Sequence, residues 1–129
     1  MQPIPIGAKG FFSFLVQLEH LANRFKDATL PSVFATPVMI MVMENAALNA
    51  IKPYLDSSES AVGTKINVRH LAAAVVGSIV TGAAEVTKID GRRIEFRVRA
   101  TEGDREIGIG SHSRAVIDMP KFMRRLGGV

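Results

Sequence analysis

The run TPVMIMVMENAALNAIK, 36–52, constrains this chain more than any other segment. Pro37 at its front and Pro53 just behind it bracket a helix, because proline suits a first turn and disfavours helical backbone in the residue before it. Thr36 reads as the N-cap and Pro37 as the first helical residue. Between the prolines, Val38 to Met43, Ala46, Ala47, Leu48, Ala50 and Ile51 leave only a narrow polar edge. A helix that is apolar nearly all round has to be enclosed. With 129 residues in all, the rest of the chain must form the wrapping.

That remainder reads almost entirely as strand. Residues 11–17, FFSFLVQ, predict a strand ahead of the helix, and 18–30 a helical turn or two that could cover a pocket. After the polar loop YLDSSESAVG, residues 62–73 alternate, with Thr64, Ile66, Val68, His70 and Ala72 on one face. Residues 78–88 predict a second strand, and Asp90-Gly91 predicts a type I′ hairpin turn. Residues 93–101 place Ile94, Phe96, Val98 and Ala100 inward and Arg93, Glu95, Arg97 and Arg99 outward. Glu102-Gly103-Asp104 turns the chain into a last strand over 105–118, and Pro120 begins a short basic tail. An antiparallel sheet curled around one central helix satisfies this order. The expected fold class is therefore α+β, a hot-dog arrangement, in a single domain over 1–129. A sheet of this size leaves part of the helix uncovered, which a two-fold partner would close.

Composition narrows the function. The chain has no cysteine, which removes thiol catalysis and Cys-based metal sites and fits a reducing, cytoplasmic setting. It has no apolar run long enough to span a membrane and no basic-then-apolar leader. The formal net charge of +4 favours an anionic partner. Its arginines and lysines are dispersed, with one tyrosine and no tryptophan, which points away from nucleic acid and toward a phosphate-bearing small molecule. The three histidines, at 20, 70 and 112, have no close ligand spacing, so no metal is expected. Glycine-rich nucleotide loops and a GxSxG elbow are absent from the sequence.

A few polar residues interrupt the pattern. Glu44 is the one carboxylate of the helix. At roughly 100° per residue, Lys52, Asn45 and Asn49 fall within about 140° of it, so a weak polar arc accounts for Glu44 as well as burial does. Apolar Val42, Met43, Ala47 and Leu48 surround it, and a carboxylate enclosed among them needs partners. His70 shares a strand face with Ile66 and Val68, as a core residue or as a base facing the helix. Thr36 stands beside free helix N–H groups, where developing negative charge is stabilised. His112 and Arg114 share a face of the last strand with Gly108 and Gly110, opposite Ile107, Ile109 and Ile117. They either line a pocket or are solvated. His20 reads as a surface residue.

The stretches VFATPVMIMVMENAALNAIKPYL, GTKINVRHLAAAVVG, IDGRRIEFRV and EIGIGSHSRAVIDMPKF resemble the fluoroacetyl-CoA thioesterase-like family of the hot-dog superfamily. The resemblance covers residues 33–122. It implies acyl-CoA thioester hydrolysis by a threonine, glutamate and histidine set, which here are Thr36 in FATP, Glu44 in VMEN and His70 in VRH. Gly63, opening GTKI, resembles the family's glycine near the thioester, and Arg114 in SHSRAV an arginine of its last strand that binds substrate. Glu44 would attack the thioester or activate water; both remain open. No cofactor is implied beyond the CoA thioester as substrate, and the expected assembly is a homodimer or larger. Two departures from the family pattern point to an acyl group other than fluoroacetyl. The segment before Thr36 offers only Phe25 and Phe34 for the family's lid phenylalanines, and Pro37 replaces the glycine after the threonine. The alternatives are a non-catalytic acyl-CoA-binding module and another hot-dog acyl-CoA enzyme, such as a hydratase.

Overall fold

The computed structural model of the chain describes residues 1–127, so the last two positions of the expected domain lie outside the described residues. In chain order the elements are β1 (Lys9–Leu15), a 3-10 turn at Leu18–His20, α1 (Ala22–Phe25), α2 (Thr36–Ile51) and a 3-10 turn at Lys52–Tyr54. Then follow β2 (Glu59–His70), β3 (Ile79–Asp90), β4 (Arg93–Glu102), β5 (Arg105–Asp118) and α3 (Met119–Arg125). The five strands form one sheet in the order β1-β3-β4-β5-β2, with every neighbouring pair antiparallel. It carries α2 on its inner face, which is the hot-dog arrangement.

Burial explains why this helix forms here. Val38, Met39, Val42, Met43, Ala46, Ala47, Ala50 and Ile51 are all buried, and they meet the inward row Ile94, Phe96, Val98 and Ala100 of β4. Two glycines set how closely α2 lies on the sheet. A Cβ on Gly10 would overlap the backbone of Ala46 and Ala50, and one on Gly82 would stand 2.7 Å from the Val42 carbonyl oxygen. The helix backbone therefore rests on bare strand.

Several local expectations are corrected. Ala35, extended at φ −73° and ψ 138°, is the helix N-cap, and Thr36 is the first helical residue. Thr36 therefore does not cap with its side chain. The stop at Pro53 holds, since α2 ends at Ile51 and the backbone then tightens through the 3-10 turn at Lys52–Tyr54. Strands β1, β2 and β3 are displaced or extended by one to three residues at their ends, the least determined part of a periodicity argument. The hairpin between β3 and β4 pairs Asp90 with Arg93, so Gly91 and Arg92 are its central residues. Only Gly91 has positive φ, at +61°, which is the II′ pattern rather than I′. The segment 18–34 folds into two short helical turns held by a bridge between Leu21 and Phe34.

Candidate active site

Polar side chains collect in two places around α2. The first is at its N-terminus. With the cap provided by Ala35, the Thr36 hydroxyl is free to meet the last residue of β2: Oγ1 lies 2.8 Å from Nδ1 of His70. Phe34, fully buried, approaches the imidazole edge-on at 6.4 Å between ring centres. The other ring nitrogen, Nε2, is buried without a hydrogen-bond partner among the described residues. Burial pushes the His70 pKa below its ordinary 6.5, and the nearby Ala72 backbone works weakly against this. A neutral imidazole bonded to a hydroxyl is a competent proton carrier. An open depression beside the pair is lined by Ala22, Val33, Phe34, Leu71, Ala72 and Ala73.

The second place is two turns along the helix. Glu44 is half-buried and faces the bulge in β2 that separates Gly63 from Lys65. A Cβ on Gly63 would lie 2.9 Å from Oε2 of Glu44, 3.4 Å from Cε1 of His112 and 3.7 Å from Nη1 of Arg114. Those three side chains therefore converge on one glycine. Arg114 pairs with Gly63 across the β2–β5 ladder, so its side chain stands on the same face. Its Nη2 donates to the Ala61 carbonyl at 2.6 Å, and Nη1 contacts His112 Nε2 at 3.2 Å. Burial lowers the Arg114 pKa and the nearby Glu44 charge opposes that; the guanidinium remains a cation.

Of the two readings of His112 and Arg114, the pocket-lining one holds: His112 is 1% and Arg114 8% exposed. The polar face of β5 points inward, and Ile109 and Ile117 lie half-buried on the outer face, whereas Ile107, expected beside them, is fully buried where the β4–β5 register shifts. Gly63 makes room for this inversion, lying opposite Arg114 and beside His112, while Gly108 admits Met39 of α2 and Gly110 the backbone of β2. The Gly-x-Gly-x-His-x-Arg alternation is the sequence signal for a polar inward strand.

His20 is half-buried rather than on the surface. Its Nδ1 accepts from the Gln17 N–H at 2.9 Å and its ring packs on Phe14 at 4.5 Å. Phe14 in turn neighbours Phe34, so His20 lies two rings away from His70. Of the two candidate lid phenylalanines, Phe34 reaches the Thr36–His70 pair, whereas Phe25 is exposed. Among the described residues, no three His, Asp or Glu side chains are grouped to hold a metal, and no helix is long and apolar enough to cross a membrane.

The fluoroacetyl-CoA-specific thioesterase family model matches residues 16–120, a span that includes Thr36, Glu44, Gly63, His70, His112 and Arg114. The chain belongs to this family. It is 47% identical over 95 residues to the fluoroacetyl-CoA thioesterase of Streptantibioticus cattleyicolor, covering 74% of this chain and 68% of that protein. The solved structure of the fluoroacetyl-CoA thioesterase FlK superimposes with a TM-score of 0.91 at 37% identity, covering 98% of this chain and 97% of the other. A thioesterase superfamily member from Thermus thermophilus superimposes at 0.89 and 32% identity, covering 98% and 96%. Within one chain the two polar clusters remain apart. Thr36 and Glu44 lie eight residues apart on α2, roughly 12 Å of helix at about 1.5 Å per residue.

Proposed function

We propose that this chain hydrolyses the thioester of a small acyl-CoA, with Glu44 as the catalytic carboxylate, Thr36 and His70 as its partners in proton transfer, and Gly63 and Arg114 as the groups that receive the substrate. The observation that carries this reading is the convergence at Gly63. There a carboxylate and a buried guanidinium flank the same solvent-exposed backbone position without an ion pair between them. A carbonyl group entering that space meets a cation for its oxygen and a carboxylate for its carbon or for the attacking water.

Hydrolysis forms a C–O bond from water to the acyl carbon and breaks the C–S bond. Glu44 either attacks the carbon, giving an anhydride that water then opens, or takes the proton of the attacking water. Arg114 and the Gly63 backbone stabilise the oxygen that becomes negative. The proton that water gives up passes by way of the Thr36–His70 pair to the departing CoA thiolate, so the pair is left as it began. The small and apolar lining beside that pair suits a short acyl chain. The departures from the family pattern in the segment before Thr36 and at Pro37 favour an acyl group other than fluoroacetyl.

The separation of the two clusters supports a homodimer as the working unit. With Glu44 two turns from the Thr36–His70 pair, a complete set forms where Glu44 of one copy meets Thr36 and His70 of the other. β2 is an edge strand of the sheet, and its largely exposed middle, 64–67, is available for pairing with a second copy.

A panel of acyl-CoAs assayed for free thiol tests the reading. Release from at least one short-chain acyl-CoA, lowered about 100-fold or more in Glu44→Gln, is the expected result. Silence across the panel, or an unchanged rate in Glu44→Gln, would falsify it.

A further inference from the structure

His112 has no part in the set of residues described above, yet it is one of the most enclosed polar side chains in the protein. It stands between three groups. Nδ1 lies 2.7 Å from the Lys65 carbonyl oxygen, Nε2 lies 3.2 Å from Nη1 of Arg114, and the ring stacks on Phe96 at 5.9 Å and 26°. A carbonyl oxygen only accepts, so Nδ1 carries the proton. A guanidinium nitrogen only donates, so Nε2 carries a lone pair. The two contacts are satisfied together by the neutral Nδ1–H tautomer and by no other form of the ring.

Building on the thioesterase reading, we propose that His112 is a positioning residue: it fixes the direction of the Arg114 guanidinium toward the Gly63–Glu44 space by accepting a hydrogen bond from it. Two contacts aim the group, Nη2 to Ala61 and Nη1 to His112. They hold the plane at both ends while Nε remains buried without a partner among the described residues. A guanidinium with a bond at only one end could rotate into an ion pair with Glu44, which would neutralise both groups needed by the substrate. His112 thus keeps Arg114 and Glu44 near each other and apart. Burial and the Arg114 cation hold the imidazole pKa below 6.5, against the Lys65 carbonyl and the Glu44 charge, so the lone pair is available at neutral pH.

The test compares three substitutions by thioester turnover. Glutamine at 112 offers an oxygen where Nε2 stood; asparagine retains the donor to Lys65 but stops short of Arg114; phenylalanine keeps the stacking on Phe96 alone. His112→Gln is expected to retain kcat within a few-fold, and His112→Asn and His112→Phe to lose about tenfold or more, chiefly in kcat. In an Arg114→Lys background the same substitutions should add little further loss, because the group they act through has gone. A purely structural role predicts the reverse: phenylalanine best tolerated, and effects that add to Arg114→Lys. Either outcome overturns the proposal. Wild-type silence on all acyl-CoAs would instead count against the thioesterase reading. The imidazole ¹⁵N spectrum tests the His112–Arg114 link without turnover. A bare, hydrogen-bonded Nε2 that shifts in Arg114→Lys supports it, and an Nε2-protonated ring at neutral pH sinks it.

Discussion

Gly63 and Glu44 occupy one another's space: the position a Cβ would take on Gly63 lies 2.9 Å from Oε2 of the carboxylate. Carbon and oxygen do not settle that close, so any side chain at 63 moves the carboxylate or the strand. Gly63→Ala should therefore lower kcat about tenfold or more while leaving the thermal midpoint within a few degrees, since the carboxylate is a mobile neighbour and β2 is an edge strand. Steady-state kinetics beside a melting curve checks this. A full rate with a large loss of stability would show the glycine serving the fold alone.

Mixed dimers decide whether one pocket draws on two copies. Glu44→Gln and His70→Gln should each be inactive as homodimers. Combined, they restore one intact pocket of two if Glu44 and His70 come from different chains, giving about half the wild-type rate per mixed dimer. If both residues of a pocket come from one chain, each mixed dimer carries two damaged pockets and the mixture stays inactive. Purified tagged heterodimers assayed for thiol release would tell these apart.

Acid should weaken the fold before it reaches the carboxylates. Burial is the main cause that lowers the pKa values of both His70 and His112 from 6.5. In the unfolded chain both titrate near 6.5. Below that pH the unfolded chain binds protons that the folded one resists, so stability is fullest above 6.5 and declines as pH falls. Glu59 acts in a lower window. The Asp56 N–H foremost, then the terminal ammonium and Arg92, pull its pKa from 4.5 to about 2, so its contribution is lost only as pH drops below 4.5. Thermal midpoints should fall between pH 7.5 and 5.5, less steeply in His112→Gln. A midpoint that is level or rising over that interval would contradict the histidine account.

The contact of α2 with the sheet offers a stability test away from the polar clusters. A methyl group on Gly10 meets the backbone of Ala46 and Ala50, which cannot swing aside as a side chain can. Gly10→Ala should cost about 2 kcal/mol or more, read as a lower denaturant midpoint. Gly7→Ser, at a position with nothing near its Cβ, carries only the cost of its φ of +89° and serves as the comparison. Equal midpoints for Gly10→Ala and wild type would mean the helix is not held as closely as described.

Pattern alone determined the frame. The apolar run of α2, the alternation of Ile94, Phe96, Val98 and Ala100 and the turn glycines gave the helix, the last two strands and the wrapped α+β arrangement, because burial imposes periods of 3.6 and 2 that are local properties of the chain. Family resemblance, rather than periodicity, named Thr36, Glu44 and His70 as one set; the structure brings Thr36 to His70 and sets Glu44 beside Gly63 and Arg114. Tertiary structure decided what no local rule reaches. It moved the cap from Thr36 to Ala35 and so released the hydroxyl to His70. It turned the polar face of β5 inward, where Gly63 makes space that only strand register can align with His112 and Arg114. Glu44, ambiguous on a helical wheel, acquired its surroundings from that same register. Partners so far apart in sequence meet only when the sheet closes on the helix, and the direction of a side chain across such a gap is fixed by packing, not by the residues beside it.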